Sequence, residues 1–213
     1  MDKNRMSLYF PDVNEADSDG VLAMGGYFET DLLLDAYANG IFPWPIGEGE
    51  PLLWFAPPMR GVLFFKELHL PRRFQSWYKK HPYKVTFNQA FTEVMVECAK
   101  APRAGQDGTW ITRAMIRGYT RLYEQGYGQS CEVWEGNALI GGLYGVQVNG
   151  HFSGESMFMK RSNASKLALV EMIKHLKKQG LTWVDTQMTT SVIAQFGGRE
   201  IPRAEYMALL DES

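Results

Sequence analysis

The stretch from Gln129 to Phe158 constrains this chain most. Three runs of strand-forming residues, Gln129–Glu135, Ala138–Val148 and His151–Phe158, are separated only by Gly136-Asn137 and Asn149-Gly150. Connections that short leave no room for a crossover, and Asn-Gly supplies the positive φ that a tight hairpin turn requires. The three runs are therefore expected to pair as an antiparallel meander. After it, Ser162–Lys178 reads as a helix with Leu169, Ile173 and Leu176 inward and Gly180 ending it. Leu181–Gln187 reads as a last strand and Arg203–Leu210 as a final helix.

Before the meander, Gly61–Phe65 and Tyr83–Phe87 read as strands flanking a short helix from Pro71. Asn88 is placed as cap of a helix that turns Phe91, Val94, Met95 and Cys98 to one side, and Thr112 as cap of the next. The first sixty residues differ. Thr30 is placed to cap a helix through Asn39 with Gly40 just beyond, burying Leu32, Leu33, Ala36 and Tyr37. The stretches Ile41-Phe42-Pro43-Trp44-Pro45 and Leu52–Pro58 then alternate aromatic residues with prolines, which predicts neither a central helix nor a central strand. The chain thus changes character near Gly61, from short irregular elements over 1–60 to regular ones over 61–213. The class is α+β, with a mostly antiparallel central sheet flanked by helices, the pattern of GCN5-like N-acyltransferases. A fold pattern does not assign an activity.

Composition excludes several classes. With 45% hydrophobic and 22% charged residues the chain is of ordinary globular make-up, and no apolar run approaches the ~20 residues of a membrane helix. The polar start Met1-Asp2-Lys3-Asn4 does not read as a signal peptide, and two cysteines, Cys98 and Cys131, make no disulfide framework. The expected compartment is the cytoplasm, without membrane contact. A net charge of −2 lacks the basic excess of a duplex-binding protein, so any RNA contact is expected to be local. The four histidines are scattered, no Walker loop is present, and the link from Phe158 to Ser165 contains no glycine to cradle a pyrophosphate. That argues against a coenzyme A donor, and no metal or cofactor is expected.

The polar candidates are few. Asp185 and Gln187, two apart on a strand, are expected to share a face with Trp183, leaving Val184 and Thr186 opposite. They serve either to tie a neighbouring turn or to form a reacting centre. Glu155, in a run of apolar and small residues, is either a salt-bridged structural carboxylate or a functional one. Gly141, Gly142 and Gly145 within one strand mark a bulge or the close approach of a ligand. Arg72, Arg73, Lys79, Lys80 and Lys84 form a dense basic cluster, either a solvated face or a contact for nucleic acid.

Several of these segments together resemble one family, the leucyl/phenylalanyl-tRNA–protein transferases. The resemblance is carried by Gly40-Ile41-Phe42-Pro43-Trp44, Gly108-Thr109-Trp110-Ile111-Thr112-Arg113 and Gly154-Glu155-Ser156-Met157-Phe158. Asn163-Ala164-Ser165-Lys166, the pair Asp185 and Gln187, and Glu200-Ile201-Pro202-Arg203 complete it, in order, from about Phe10 to Leu210. It implies transfer of Leu or Phe, less readily Met, from Leu-tRNA or Phe-tRNA to proteins with N-terminal Arg or Lys. The product N-terminus would be a degradation signal of the bacterial N-degron pathway. The build would be a small N-terminal domain over 1–60 followed by an acetyltransferase-like catalytic domain over 61–213; a monomer without cofactor is the default expectation. The resemblance places Asp185, Gln187 and Glu155 at the reacting centre. Gln187 would orient the attacking amine, Asp185 would order Gln187 and favour positive charge, and Glu155 would attract the cationic acceptor. Trp44, Trp110, Tyr119, Leu143 and Phe152 would line the amino-acid pocket, with Trp44 also stacking on the terminal adenine. The basic cluster would meet the tRNA acceptor stem. Two features depart from the family pattern: Val192 stands where a histidine is usual, and the basic, aromatic tail that follows the last helix in many members is absent from this sequence. The alternatives are a non-catalytic module that binds the tRNA end, or another acyltransferase of the same fold.

Overall fold

The computed structural model describes residues 7–102 and 109–212. Among the described residues, ten strands form two sheets. The smaller is built from β1 (Val21–Met24), β2 (Phe42–Pro45) and β3 (Leu52–Phe55) in the order β1-β3-β2, with α1 (Thr30–Ala38) between β1 and β2. Leu52–Phe55 is thus a central strand, against the expectation for this proline-rich region. The prolines account for the difference: β3 itself contains none, while Pro43 and Pro45 sit on the edge strand β2, where a missing N–H breaks no ladder.

The larger sheet takes β4 (Met59–Phe64), β5 (Lys84–Phe87), β6 (Gly128–Glu135), β7 (Ala138–Val148), β8 (His151–Met159), β9 (Trp183–Gln187) and β10 (Arg199–Pro202). Their order is β10-β4-β9-β8-β7-β6-β5. Every neighbouring pair is antiparallel except β8 with β9. The meander appears as read, and Asn149 and Gly150 take φ of 48° and 82° in the β7–β8 turn. The α+β expectation, a mostly antiparallel sheet flanked by helices, therefore holds.

Helices α2 (Arg72–Tyr78), α3 (Phe91–Lys100), α4 (Arg113–Glu124), α5 (Ala164–Lys178), α6 (Ser191–Gln195) and α7 (Arg203–Asp211) complete the chain. Thr112 caps α4 through the Met115 N–H at 3.1 Å. Asn88 does not cap α3: it holds φ of 55° and its side chain accepts the Ser130 N–H at 2.8 Å, tying the β5 end to β6. The buried carboxylate of Glu132 accepts the N–H groups of Gln89 and Ala90 at the entry to α3 instead. Thr30 lies inside α1, whose cap position is Glu29.

Two apolar layers sandwich the large sheet. One gathers Leu33, Ala36 and Tyr37 of α1 with α3, α4 and the β7 residues Tyr144, Val146 and Val148. The other gathers α5, Phe74 of α2 and Ile193 of α6 with Ile140 and Leu143 of β7. Apolar side chains between Phe10 and Ala56 therefore continue into the same cluster as α3 and α4. A third group, Val62, Trp183, Ile201, Tyr206 and Leu210, seats α7. Among the described residues, no helix is long and apolar enough to cross a membrane.

Candidate active site

Two irregularities in adjacent strands build the site. On β8, Gly154 pairs with Gly145 and Ser156 with Tyr144, which leaves Glu155 as the extra residue of a bulge. On β9, Asp185 pairs with Val62 and Gln187 with Gly61, which leaves Thr186 extra. Gln187 also takes a left-handed φ of 52°. A bulge re-aims the side chains beside it. The result is that Gln187 Nε2 donates to Glu155 Oε1 at 2.6 Å. Tyr37 of α1 donates to the same oxygen at 2.7 Å, and Tyr119 of α4 donates to Oε2 at 3.4 Å. The two tyrosine hydroxyls are hydrogen-bonded to each other.

The bulge at Thr186 and the left-handed φ of Gln187 interrupt the alternation expected of this strand: Gln187 lines the cavity, whereas Asp185 does not. Asp185 is fully buried and outside the cavity. Its oxygens accept Arg60 Nε at 2.8 Å, Arg60 Nη2 at 2.7 Å, Ser153 Oγ at 2.9 Å, Tyr206 Oη at 3.0 Å and the Gln187 N–H at 2.9 Å. Arg60 is buried too. It lies 4.5 Å from the Phe42 ring centre and 4.6 Å from that of Tyr206, and it donates through Nη1 to the Gly40 carbonyl at 3.0 Å.

Glu155 and Gln187 lie at the floor of a cavity of about 390 Å³, within the range of small-molecule sites. Phe42, Trp44, Trp110, Leu143 and Phe152 wall it, and Leu169, Met172, Ile173 and Leu176 of α5 close it from the opposite layer. Trp44 and Trp110 stack with ring centres 5.4 Å apart and planes 11° from parallel. Glu155 is the only charged side chain among the described lining residues. Met188 stands at the edge, half exposed.

The two carboxyls behave oppositely. Burial pushes the Glu155 carboxyl up to about 7; the Tyr37 hydrogen bond opposes this, and the Asp185 charge adds to it. Asp185 is held below the usual carboxylate range: burial raises it, but Arg60 more than offsets that. Tyr37 and Tyr119 are raised well above the ordinary phenol range, first by burial and then by Glu155, so both remain donors.

Of the residues expected in the pocket, Trp44, Trp110, Leu143 and Phe152 line the cavity, whereas Tyr119 lies fully buried behind Glu155. The glycines of β7 admit protein atoms: a Cβ at Gly145 would come within 2.2 Å of the Ser153 carbonyl and 2.4 Å of the Phe152 ring. Arg72 and Arg73 on α2, and Lys79, Lys80 and Lys84 after it, are exposed. Val192 packs on the α5 layer. Gly108 and the opening residues Met1 to Met6 lie outside the described residues. Arg60, Tyr206 and Ser153 were not anticipated; only the oddity of a charged residue beside an apolar run, Arg60-Gly61-Val62-Leu63-Phe64, pointed to the first. Among the described residues no cluster of three or more metal-ligating side chains occurs.

Comparison with known proteins agrees in detail. Residues 62–211 match the model of the leucyl/phenylalanyl-tRNA protein transferase family, and residues 26–58 match the model of its N-terminal domain. A leucyl/phenylalanyl-tRNA–protein transferase of Flavobacterium johnsoniae is 47% identical over 203 residues, covering 95% of either chain. One from Anaeromyxobacter is 47% identical over 201 residues, 94% of this chain and 85% of that one. Among solved structures, FemX superposes with a TM-score of 0.52 at 12% identity, over 81% of this chain and 66% of that chain.

Proposed function

This chain belongs to the leucyl/phenylalanyl-tRNA–protein transferase family and is an aminoacyltransferase, and on that premise we propose that it moves Leu or Phe, less readily Met, from tRNA to proteins with N-terminal Arg or Lys. The observation that carries this reading is a single carboxylate, the one charged side chain among the described lining residues, at the floor of a mainly apolar cavity. Apolar walls suit an aliphatic or aromatic side chain. They discriminate weakly against Met, since similar apolar volumes differ by only ~1–3 kcal/mol in such a pocket. One negative charge in a low-dielectric floor favours a cationic acceptor over a neutral or anionic one.

The donor ester is already activated, so no covalent enzyme intermediate is needed. The acceptor α-amine attacks the ester carbonyl carbon, the new C–N bond forms, and the C–O bond to the terminal ribose breaks. Gln187 is held by Nε2 against Glu155, which fixes its amide and turns Oε1 to the incoming amine. An amide is too weak a base to keep the proton. Glu155, at about 7, is matched to receive it and return it to the departing ribose oxygen. Asp185 acts at one remove: with Arg60 as its counter-ion it orders Gln187 rather than facing the substrate. Much of the rate then comes from holding two substrates in near-attack geometry.

The remaining assignments follow from position. The exposed cluster Arg72, Arg73, Lys79, Lys80 and Lys84 is the proposed acceptor-stem contact, and residues 1–60 form the small domain that brings Trp44 to the cavity. The stacked Trp44–Trp110 pair offers a platform for the terminal adenine. The product N-terminus would serve the N-degron pathway, in the cytoplasm, from a monomeric enzyme.

The test uses purified protein, Leu-tRNA or Phe-tRNA, and two peptides differing only in an N-terminal Arg or Ser. Mass spectrometry is expected to show Leu or Phe added to the Arg peptide alone. Equal addition to both peptides would remove the acceptor rule. No addition to either, with the aminoacyl-tRNA still bound, would favour a module that binds the tRNA end.

A further inference from the structure

Arg60 is the least expected residue near the site. It is the second residue of β4, its side chain is 2% exposed, and it is not among the residues that line the cavity. A buried guanidinium is costly unless its donors are satisfied, and here they meet three separate parts of the chain. Nε and Nη2 grip both oxygens of Asp185 on β9, Nη1 reaches the Gly40 carbonyl just past α1, and the plane lies between Phe42 of β2 and Tyr206 of α7. A lysine has no second head with which to reproduce this fork.

The pair leads directly to the reacting amide. Asp185 Oδ1, which accepts Arg60 Nε, also accepts the Gln187 N–H at 2.9 Å. That bond closes the turn in which Gln187 stands at φ of 52°, a conformation a non-glycine residue rarely holds without such a constraint. From that turn the Gln187 side chain donates to Glu155. Arg60 also grips α1 at its end, three residues beyond Tyr37, which donates to Glu155. The contacts thus run from Gly40 through Arg60, Asp185, Gln187 and Glu155 back to Tyr37.

We propose that Arg60 is a positioning residue for aminoacyl transfer, acting through Asp185 to hold Gln187 turned onto Glu155. It touches neither substrate. The proposal rests on the reading that Gln187 and Glu155 meet the attacking amine.

A double-mutant cycle tests it. Arg60→Lys keeps the charge beside Asp185 but loses the fork and its grip on Gly40. In folded enzyme it is expected to lower kcat about 10- to 100-fold, the scale of a small misplacement of reacting groups, with the KM for aminoacyl-tRNA within about twofold. In a Gln187→Ala background the same substitution is expected to change kcat by less than about twofold, because the group it positions is gone. An equal loss in both backgrounds, or wild-type kcat in folded Arg60→Lys, overturns the proposal. Wild-type kcat in Gln187→Ala alone would instead overturn the reading on which it rests. Should Arg60→Lys not fold, Arg60→Met combined with Asp185→Leu replaces the ion pair by apolar volume. Wild-type kcat there overturns the proposal; a loss that does not add to that of Gln187→Ala supports it.

Discussion

Asp185 and Glu155 sit on adjacent strands and share a neighbour in Gln187. Around Asp185 every lone pair is taken by an arginine fork, two hydroxyls and a backbone N–H. Around Glu155 the partners are one amide and two phenols, and the group opens into an apolar cavity. The first arrangement keeps its charge under all ordinary conditions and makes a fixed point. The second is poised to change charge near neutrality. A carboxylate surrounded by a cation and saturated donors holds geometry, whereas one held by neutral donors at a cavity floor has capacity left for a substrate.

The largest way to break this contrast is to unpair the first carboxylate. Asp185→Leu alone leaves the Arg60 guanidinium buried without its partner and is expected to cost about 3–5 kcal/mol in a denaturant titration. Adding Arg60→Met should recover most of that loss, since the two side chains then pack as apolar volume; a double variant as unstable as the single one would contradict the account of the pair.

A somewhat smaller effect concerns Glu155 and pH. Its folded pKa of about 7 lies above its ordinary value of 4.5, so its contribution to stability is fully present below about 4.5 and lost as pH rises through 7. The shift corresponds to at most about 3 kcal/mol. Glu155→Gln should flatten that dependence, gaining stability relative to the parent at pH 8 but not at pH 4.5, while raising the KM for an Arg-terminated peptide. Parallel stability curves for parent and variant would show that Glu155 is not so displaced. Asp185 has the opposite sign: its folded pKa is depressed, so its contribution is present above the ordinary aspartate value and lost only in stronger acid.

Smaller again is the glycine opposite the β8 bulge. Gly145→Ala should cost about 1–3 kcal/mol by forcing a methyl against the Ser153 carbonyl and the Phe152 ring. It should also disturb the Glu155 titration, read as a changed pH profile of transfer. Thr112→Ala, which removes the α4 cap, should cost about 1 kcal/mol and leave that profile unmoved. A profile that moves with the cap would mean Glu155 responds to general loosening, not to its own neighbours.

What was legible in the sequence divides along the same line. The meander, the α4 cap and the apolar stripes of α1, α3 and α5 are local signals, and the structure follows them closely. The central strand at Leu52–Phe55 was obscured because its own four residues carry no proline while its flanks do. Asp185 and Gln187 are legible as a pair, but alternation alone does not report the bulge at Thr186 or the left-handed φ of Gln187, which leave one in the cavity lining and the other outside it. The Asp185 bond to the Gln187 N–H closes that turn, and Gly61 leaves room for it, since a Cβ there would meet the Met188 backbone at 2.7 Å. Arg60 is marked in the sequence only as a charge beside an apolar run; its partners lie 20, 125 and 146 residues away, and no local signal reports them.

The bulge at Glu155 has a consequence for how this protein can change over generations. Residues on either side of it obey the ordinary two-residue parity of a strand, and Glu155 is the one position out of step. Deleting that single codon would leave a regular hairpin ladder between β7 and β8 and erase the floor of the cavity in one event. An insertion there would restore a chemical group without altering any other pairing. In this architecture the reading frame of the sheet and the inventory of the site can mutate separately.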